Sequence, residues 1–176
     1  MKRVHYILGT LDDDDIDWLV TISQRRKVKP SEALIEAGQP SNAIYLILEG
    51  AFAVFAKHAL QHPVAHLSSG DVAGEMSFID GYAPSATVQA VEPGLVLAIP
   101  KDQLAVKLKQ DICFAARFYE AISTLLSIRL RGTLKQVPQS ADGVGHNLEM
   151  ENRWELGIVR YDWLLRRLRH EAFGPL

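Results

Sequence analysis

Ser69-Gly70-Asp71-Val72-Ala73-Gly74-Glu75-Met76-Ser77-Phe78-Ile79, followed by Ala83-Pro84-Ser85-Ala86-Thr87-Val88, is the stretch on which the reading turns. Gly74 frees the backbone for close approach, and a carboxylate follows at once. A short helical turn over 75–80 then leads into a small-residue segment that enters a strand. Amides exposed at the start of a helix form an anion site. A carboxylate such as Glu75 can accept from a sugar hydroxyl, as acidic residues do towards ribose in dinucleotide sites. The combination suits a small phosphorylated sugar held in a roll of strands.

The flanks supply those strands. From Val28 to Pro100, short apolar runs alternate with glycine punctuation: Ala33–Ile35 before Gly38-Gln39-Pro40, Ile44–Leu48 before Glu49-Gly50, then Phe52, Val54 and Ala56. Val64–Leu67, Thr87–Val91 and Leu95–Ile99 close the series. Many short strands with turn signals between them predict a jelly-roll-like β-roll. Upstream, residues 10–24 read as a helix capped by Thr10, with Ile16, Leu19, Val20 and Ile22 on its apolar face. The run Asp12–Asp15 lacks the alternation, central Gly and distant Glu of a calcium loop, so helix capping is its expected role.

Downstream of Pro100, Lys101–Lys109 is a short amphipathic helix. A longer one runs from an N-cap at Asp111 to about Gln136, with Phe114, Phe118, Ile122, Leu125, Leu126 and Leu130 recurring at three- and four-residue steps. The expected organisation is one domain over 1–137, a linker over 138–150 and an amphipathic tail over 151–176. Trp154, Trp163, Leu164 and Leu168 form the apolar face of the tail, packed on the β-roll or on a twin subunit. On that reading, the fold survives removal of residues 138–176. The fold class is thus mainly β, with an N-terminal helix and a long C-terminal helix.

The composition narrows the function. The 176 residues are 48% hydrophobic and 23% charged, with a formal charge of −2, the proportions of an ordinary globule. No chain-wide basic surface exists for nucleic acid. Arg160, Arg166, Arg167 and Arg169 can touch phosphates only non-specifically, so sequence-specific DNA binding is not expected. The single cysteine excludes an internal disulfide framework and suggests a reducing, cytoplasmic setting; its apolar context, Ile112-Cys113-Phe114, predicts burial. His58, His62 and His66 fall in a region broken by Pro63 and carry no metal-ligand pattern. There is no apolar run long enough to cross a membrane, and no nucleophile elbow, P-loop or zinc-protease motif. Neither an enzyme nor a metal site is expected.

In order and spacing, Gly38…Ala43-Ile44-Tyr45-Leu46-Ile47-Leu48-Glu49-Gly50, Gly70-Asp71…Gly74-Glu75, Ser85-Ala86-Thr87-Val88 and the long helix after Pro100 resemble the cyclic-nucleotide-binding domain family over residues 8–135. The resemblance implies a non-enzymatic sensing or regulatory module with cyclic AMP or cyclic GMP as ligand. It implies a binding set of Gly74, Glu75, Met76, Ser85 and Ala86, with Glu75 on the ribose hydroxyl. It also implies a homodimer through residues 111–136, and the length of the apolar stripe puts Phe118, Ile122, Leu125 and Leu126 in the expected interface. One departure stands out: the family's phosphate-binding arginine falls on Pro84, and residues 58–100 contain no Lys or Arg at all. A charge-assisted bond contributes about 1.5–3 kcal/mol, so its loss weakens a phosphate ligand roughly 10- to 150-fold. Two readings follow: a ligand sensor, or a degenerate domain acting as a dimeric interaction scaffold.

Overall fold

The computed structural model describes residues 4–57, 62–134 and 148–170, and its chain divides into two compact units. The first unit holds eight strands among its described residues. One antiparallel sheet has the order β1 (Gln24–Val28), β8 (Gly94–Pro100), β3 (Ala43–Glu49), β6 (Val72–Ala73). The other has the order β2 (Ala33–Ile35), β7 (Ala86–Ala90), β4 (Ala51–Ala56), β5 (Ala65–Ser68). The inner faces meet in one cluster that includes Val28, Ile35, Tyr45, Ile47, Phe52, Leu67, Val88 and Val96. Strand β3 lies between two neighbours, and six of its residues in succession are buried. Burial on both faces is why Ile44–Leu48 reads as a continuous apolar run; β4 is also flanked by two strands but is buried only at Phe52 and Ala53. The expected β-roll is observed.

Two short strands differ from expectation. Strand β1 was not anticipated, because Gln24-Arg25-Arg26-Lys27 is polar throughout; only Val28 is buried. Strand β6 has two residues, too few for a pattern. The unit also holds α3 (Glu75–Ile79) and α4 (Lys101–Gln110), close to the expected helical segments.

The second unit is helical. It combines α1 (Val4–Thr10), the first turn of α2 (Asp13–Ile22), α5 (Ile112–Leu134) and α6 (Leu148–His170). The helix expected over 10–24 is shorter, as α2 from Asp13 to Ile22, and a separate helix, α1, precedes it and ends at Thr10. Thr10 ends α1 and donates to the Tyr6 carbonyl at 2.8 Å. The cap of α2 is Asp12: its Oδ1 accepts from the Asp15 amide at 3.0 Å, and Asp15 Oδ2 accepts from the Asp12 amide at 3.1 Å. This reciprocal arrangement satisfies two orphan donors at once.

The other helices also correct expectations. Asp111 caps α5 by accepting from the Phe114 amide at 2.9 Å. Cys113 is exposed, because the buried stripe of α5 runs through Phe114, Phe118, Ala121, Ile122 and Leu125, one residue away from it around the helix. Helix α6 begins three residues before the expected start. Its packing face is Tyr161, Leu164 and Leu168, all buried, while Trp163 is exposed. Within this unit it packs on α1, where a Cβ on Gly9 would stand 1.8 Å from the Arg153 carbonyl oxygen. A Cβ on Gly157 would stand equally close to the His5 carbonyl oxygen. The two backbones touch, which only glycine allows. Of the linker expected over 138–150, residues 138–147 lie outside the described residues and residues 148–150 belong to α6.

Arginines from α5 and α6 hold the corner between α1 and α2. Arg117 binds Asp15 through two bonds of 2.6 and 2.9 Å and reaches Asp12 at 2.8 Å. Arg160 binds Asp13 at 2.8 Å and donates to the Leu8 carbonyl at 2.8 Å and to the Leu11 carbonyl. The acidic run thus anchors tertiary structure as well as capping a helix. Burial pushes the Asp15 carboxyl up, but bonds from Arg117 and the Asp12 amide, with the Arg117 charge, outweigh it and hold it below the usual aspartate range. The Asp15 bond in turn raises the Arg117 guanidinium further.

Candidate functional site

The quoted stretch forms one continuous cassette in the β-roll unit. At its start Asp71 closes a turn: its Oδ2 accepts from the Ser68 amide at 2.9 Å, and its own amide donates to the Ser68 carbonyl at 2.9 Å. The turn is tied to β3, since the Gly70 amide donates to the Ile47 carbonyl at 2.8 Å and the Ile47 amide to the Asp71 carbonyl at 2.9 Å. Asp71 is therefore committed to the backbone.

Gly74 follows with φ +88°, in the left-handed region. A Cβ there would come within 2.9 Å of the Ala43 carbonyl oxygen. Conformation and space both demand glycine. The turn delivers Glu75 to the first position of α3, where it is only 1% exposed. Met76, next in sequence, points outward and is 54% exposed.

A lysine missed in the sequence reading holds α3 in place. Lys101, at the start of α4, donates to Ser77 Oγ at 2.7 Å, and Ser77 Oγ donates to the Gly74 carbonyl at 3.1 Å. Its backbone amide binds the Asn42 carbonyl at 2.9 Å. Burial lowers the affinity of the Lys101 amine for its proton, an effect partly opposed by the Glu75 and Asp80 carboxylates. Lys101 stands one residue past the cation-free stretch 58–100, so a search confined to the cassette could not find it. Its position after the proline that ends β8 was the available signal.

The second half of the cassette is fixed from the opposite sheet. The Pro84 carbonyl accepts from the Gly38 amide at 2.8 Å, and Thr87 Oγ1 accepts from the Ala37 amide at 3.1 Å. Ala86 pairs with Ala56 as β7 begins; Ser85 is exposed and Ala86 half-buried. Lys57, just beyond β4, has its Nζ 3.7 Å from where a Cβ on Gly38 would lie, which puts an exposed ammonium beside the turn that binds Pro84. The proposed ligand residues thus fall into two groups, Gly74-Glu75-Met76 on α3 and Ser85-Ala86 at the mouth of β7. Of the three histidines weighed earlier, His62 and His66 are exposed, His58 lies outside the described residues, and no metal-binding cluster occurs among the described residues.

Residues 25–111 match the sequence profile described as the cyclic nucleotide-binding domain. They belong to that family. The chain is 32% identical over 120 residues to an uncharacterised NTE-family protein of Mycobacterium tuberculosis; the match covers 68% of this chain and 20% of that one. The chain thus spans about a fifth of the length of that relative. A cyclic AMP receptor protein of Thermus thermophilus is 27% identical over 169 residues, covering 94% of this chain and 70% of that protein. Among solved structures, a cyclic nucleotide-binding domain from Methylobacillus flagellatus superposes with a TM-score of 0.69 at 21% identity, over 81% of this chain and 85% of that one. The domain fold, with its β-roll, N-terminal helices and long C-terminal helices, is therefore shared. No helix among the described residues is long and apolar enough to cross a membrane.

Proposed function

We propose that the chain is a non-enzymatic regulatory module whose cyclic nucleotide-binding domain takes a cyclic nucleotide weakly, through Gly74, Glu75, Met76, Ser85 and Ala86. The observation that carries this reading is the Gly74 turn, which sets the Glu75 carboxylate at the head of α3. The amide of Ser85 and the backbone of Ala86 supply the phosphate side, and Pro84 contributes neither charge nor an N–H. Affinity is accordingly low. Titration calorimetry with cyclic AMP and cyclic GMP tests the reading directly: measurable heat that Glu75→Ala abolishes supports it. Its absence at about 1 mM, a binding free energy of only about −4 kcal/mol, defeats it.

One observation favours the scaffold reading. Glu75 is buried with the Lys101 charge within electrostatic reach, so the carboxylate already has a counter-charge without a ligand. A domain that binds no nucleotide at that concentration would be a scaffold of this kind.

For either reading we propose a homodimer through α5, on a face other than the one first expected. Phe118, Ile122 and Leu125 are consumed within the chain. Ile112, Ala116, Tyr119, Ser123, Leu126 and Leu130 remain exposed or half-buried. Their spacing alternates four and three residues, the repeat of a two-helix seam, and a second copy presents the same surface.

A further inference from the structure

Lys57 stands one residue before the cation-free stretch 58–100, just past the end of β4. Ala56, the last residue of β4, pairs with Ala86, the first of β7, and the antiparallel register carries Lys57 to a position across from Ser85. Residues opposite each other in an antiparallel pair project to the same face, so the Lys57 side chain starts beside that of Ser85. Both residues are exposed.

The strand order fixes the path of that side chain. In its sheet β7 lies between β4 and β2. Gly38 follows β2, and its amide donates to the Pro84 carbonyl at 2.8 Å. The Lys57 Nζ is 3.7 Å from where a Cβ on Gly38 would lie. To come there from β4, the side chain has to cross the beginning of β7, over Pro84 and Ser85. Lys57 makes no hydrogen bond or ion pair among the described residues. Lys101, at the other border of the cation-free stretch, is by contrast committed to Ser77 and faces the Glu75 and Asp80 charges. Holding a long side chain across a strand costs rotamer freedom, and an anion seated at the mouth of β7 would offset that cost.

We propose that Lys57 is the phosphate-side cation of the nucleotide site, supplied from the end of β4 in place of the arginine that Pro84 displaces. This assignment rests on the regulatory reading and deepens it. The two halves of the ligand set then have opposite charge: Glu75 on α3 accepts from a sugar hydroxyl, and Lys57, with the Ser85 hydroxyl and amide, faces a phosphodiester monoanion. An ammonium is a point charge on a flexible stem, whereas a guanidinium grips two phosphate oxygens in a fixed fork. The exchange keeps the charge and gives up the fork, so the site selects an anionic ligand while holding its phosphate less rigidly.

Titration calorimetry with cyclic AMP on the full chain compares the parent, Lys57→Gln and Lys57→Arg. Lys57→Gln should bind about tenfold more weakly, and Lys57→Arg at least as tightly as the parent. Raising the salt from about 50 to about 500 mM should weaken the parent and Lys57→Arg more than Lys57→Gln, a difference that a merely structural lysine would not produce. Thermal midpoints without ligand should agree among the three proteins, since Lys57 is exposed. A Lys57→Gln protein that binds as tightly as the parent, or with the same salt dependence, overturns the assignment and leaves the regulatory reading standing. A lowered midpoint for Lys57→Gln alone would make the lysine a structural residue and overturns it as well. No heat from the parent at about 1 mM defeats the regulatory reading and takes this assignment with it.

Discussion

Gly157 of α6 lies against His5 of α1 so closely that a Cβ on the glycine would stand 1.8 Å from the histidine carbonyl oxygen. The crossing is a backbone-to-backbone contact, with Tyr161, Leu164 and Leu168 buried along α6. Gly157→Ala should therefore destabilise the helical unit by about 3 kcal/mol, the upper end of overpacking costs, because a main-chain atom cannot rotate away. Urea unfolding followed by tryptophan fluorescence measures it. Deleting residues 148–176 should do more, leaving the apolar face of α1 uncovered and the protein prone to aggregate, contrary to the expectation of a dispensable tail.

Arg117 should matter at neutral pH and not in acid. The folded-state pKa of Asp15 is lowered, so its stabilising contribution is full above the ordinary aspartate value of about 4 and is lost as pH falls through the folded value. Arg117→Ala leaves a buried carboxylate without its partner and should cost about 2–3 kcal/mol at pH 7. The difference from the parent should shrink between pH 7 and acid, as pH falls through the lowered folded value and Asp15 becomes protonated in both. Denaturant midpoints at the two pH values decide it; a cost independent of pH would show that Arg117 acts through packing alone.

Pro84→Arg should restore a charge-assisted contact to a cyclic phosphate and raise cyclic nucleotide affinity roughly 10- to 150-fold. The substitution also returns an N–H to the backbone. Glu75→Ala in the same background should remove most of that gain. Calorimetry on the three proteins separates a pocket lacking one residue from one that has diverged throughout.

If α5 forms the seam between two copies, Tyr119→Glu and Leu126→Glu should each shift the protein towards monomer in sedimentation velocity. Substitution at Phe118 should instead unfold it, since that ring is buried within the chain. A parent that sediments as a monomer at tens of micromolar, about the concentration at which a weak dimer persists, would rule the seam out.

The strands that form the core were legible because their burial leaves a period in the sequence: Ile44–Leu48 is apolar throughout, and Phe52 and Val54 alternate. Strand β1 left no such mark, since an edge strand with one buried residue takes its place by pairing with β8 rather than by burying side chains. Helix α1 was hidden by Gly9, which reads as a terminator but is required by the approach of Arg153 from far along the chain. In the cassette, Gly74 and Glu75 could be placed because the turn is local. Lys101 could not, because the contact to Ser77 depends on where β8 ends. The stripe on α5 announced a covered face but not its cover, and α1 rather than a second subunit proved to share the unit with it.

The two units differ in how they are drawn from the chain: among the described residues, one comes from the single stretch between 17 and 110, and the other joins residues 4–16 to residues 111–134 and 148–170. During synthesis the β-roll has its whole sequence available by the time α4 is complete. Helix α1, made before the roll and buried along almost its entire length in the folded chain, must wait for α5 and α6, made after it. At about 5–20 residues per second, the roughly sixty residues from α5 to the end of α6 keep it waiting some 3 to 12 s. Throughout that interval the apolar segment of α1 has no cover from α5 or α6. A ribosome stalled before α6 should therefore display a folded roll and an unsatisfied first helix.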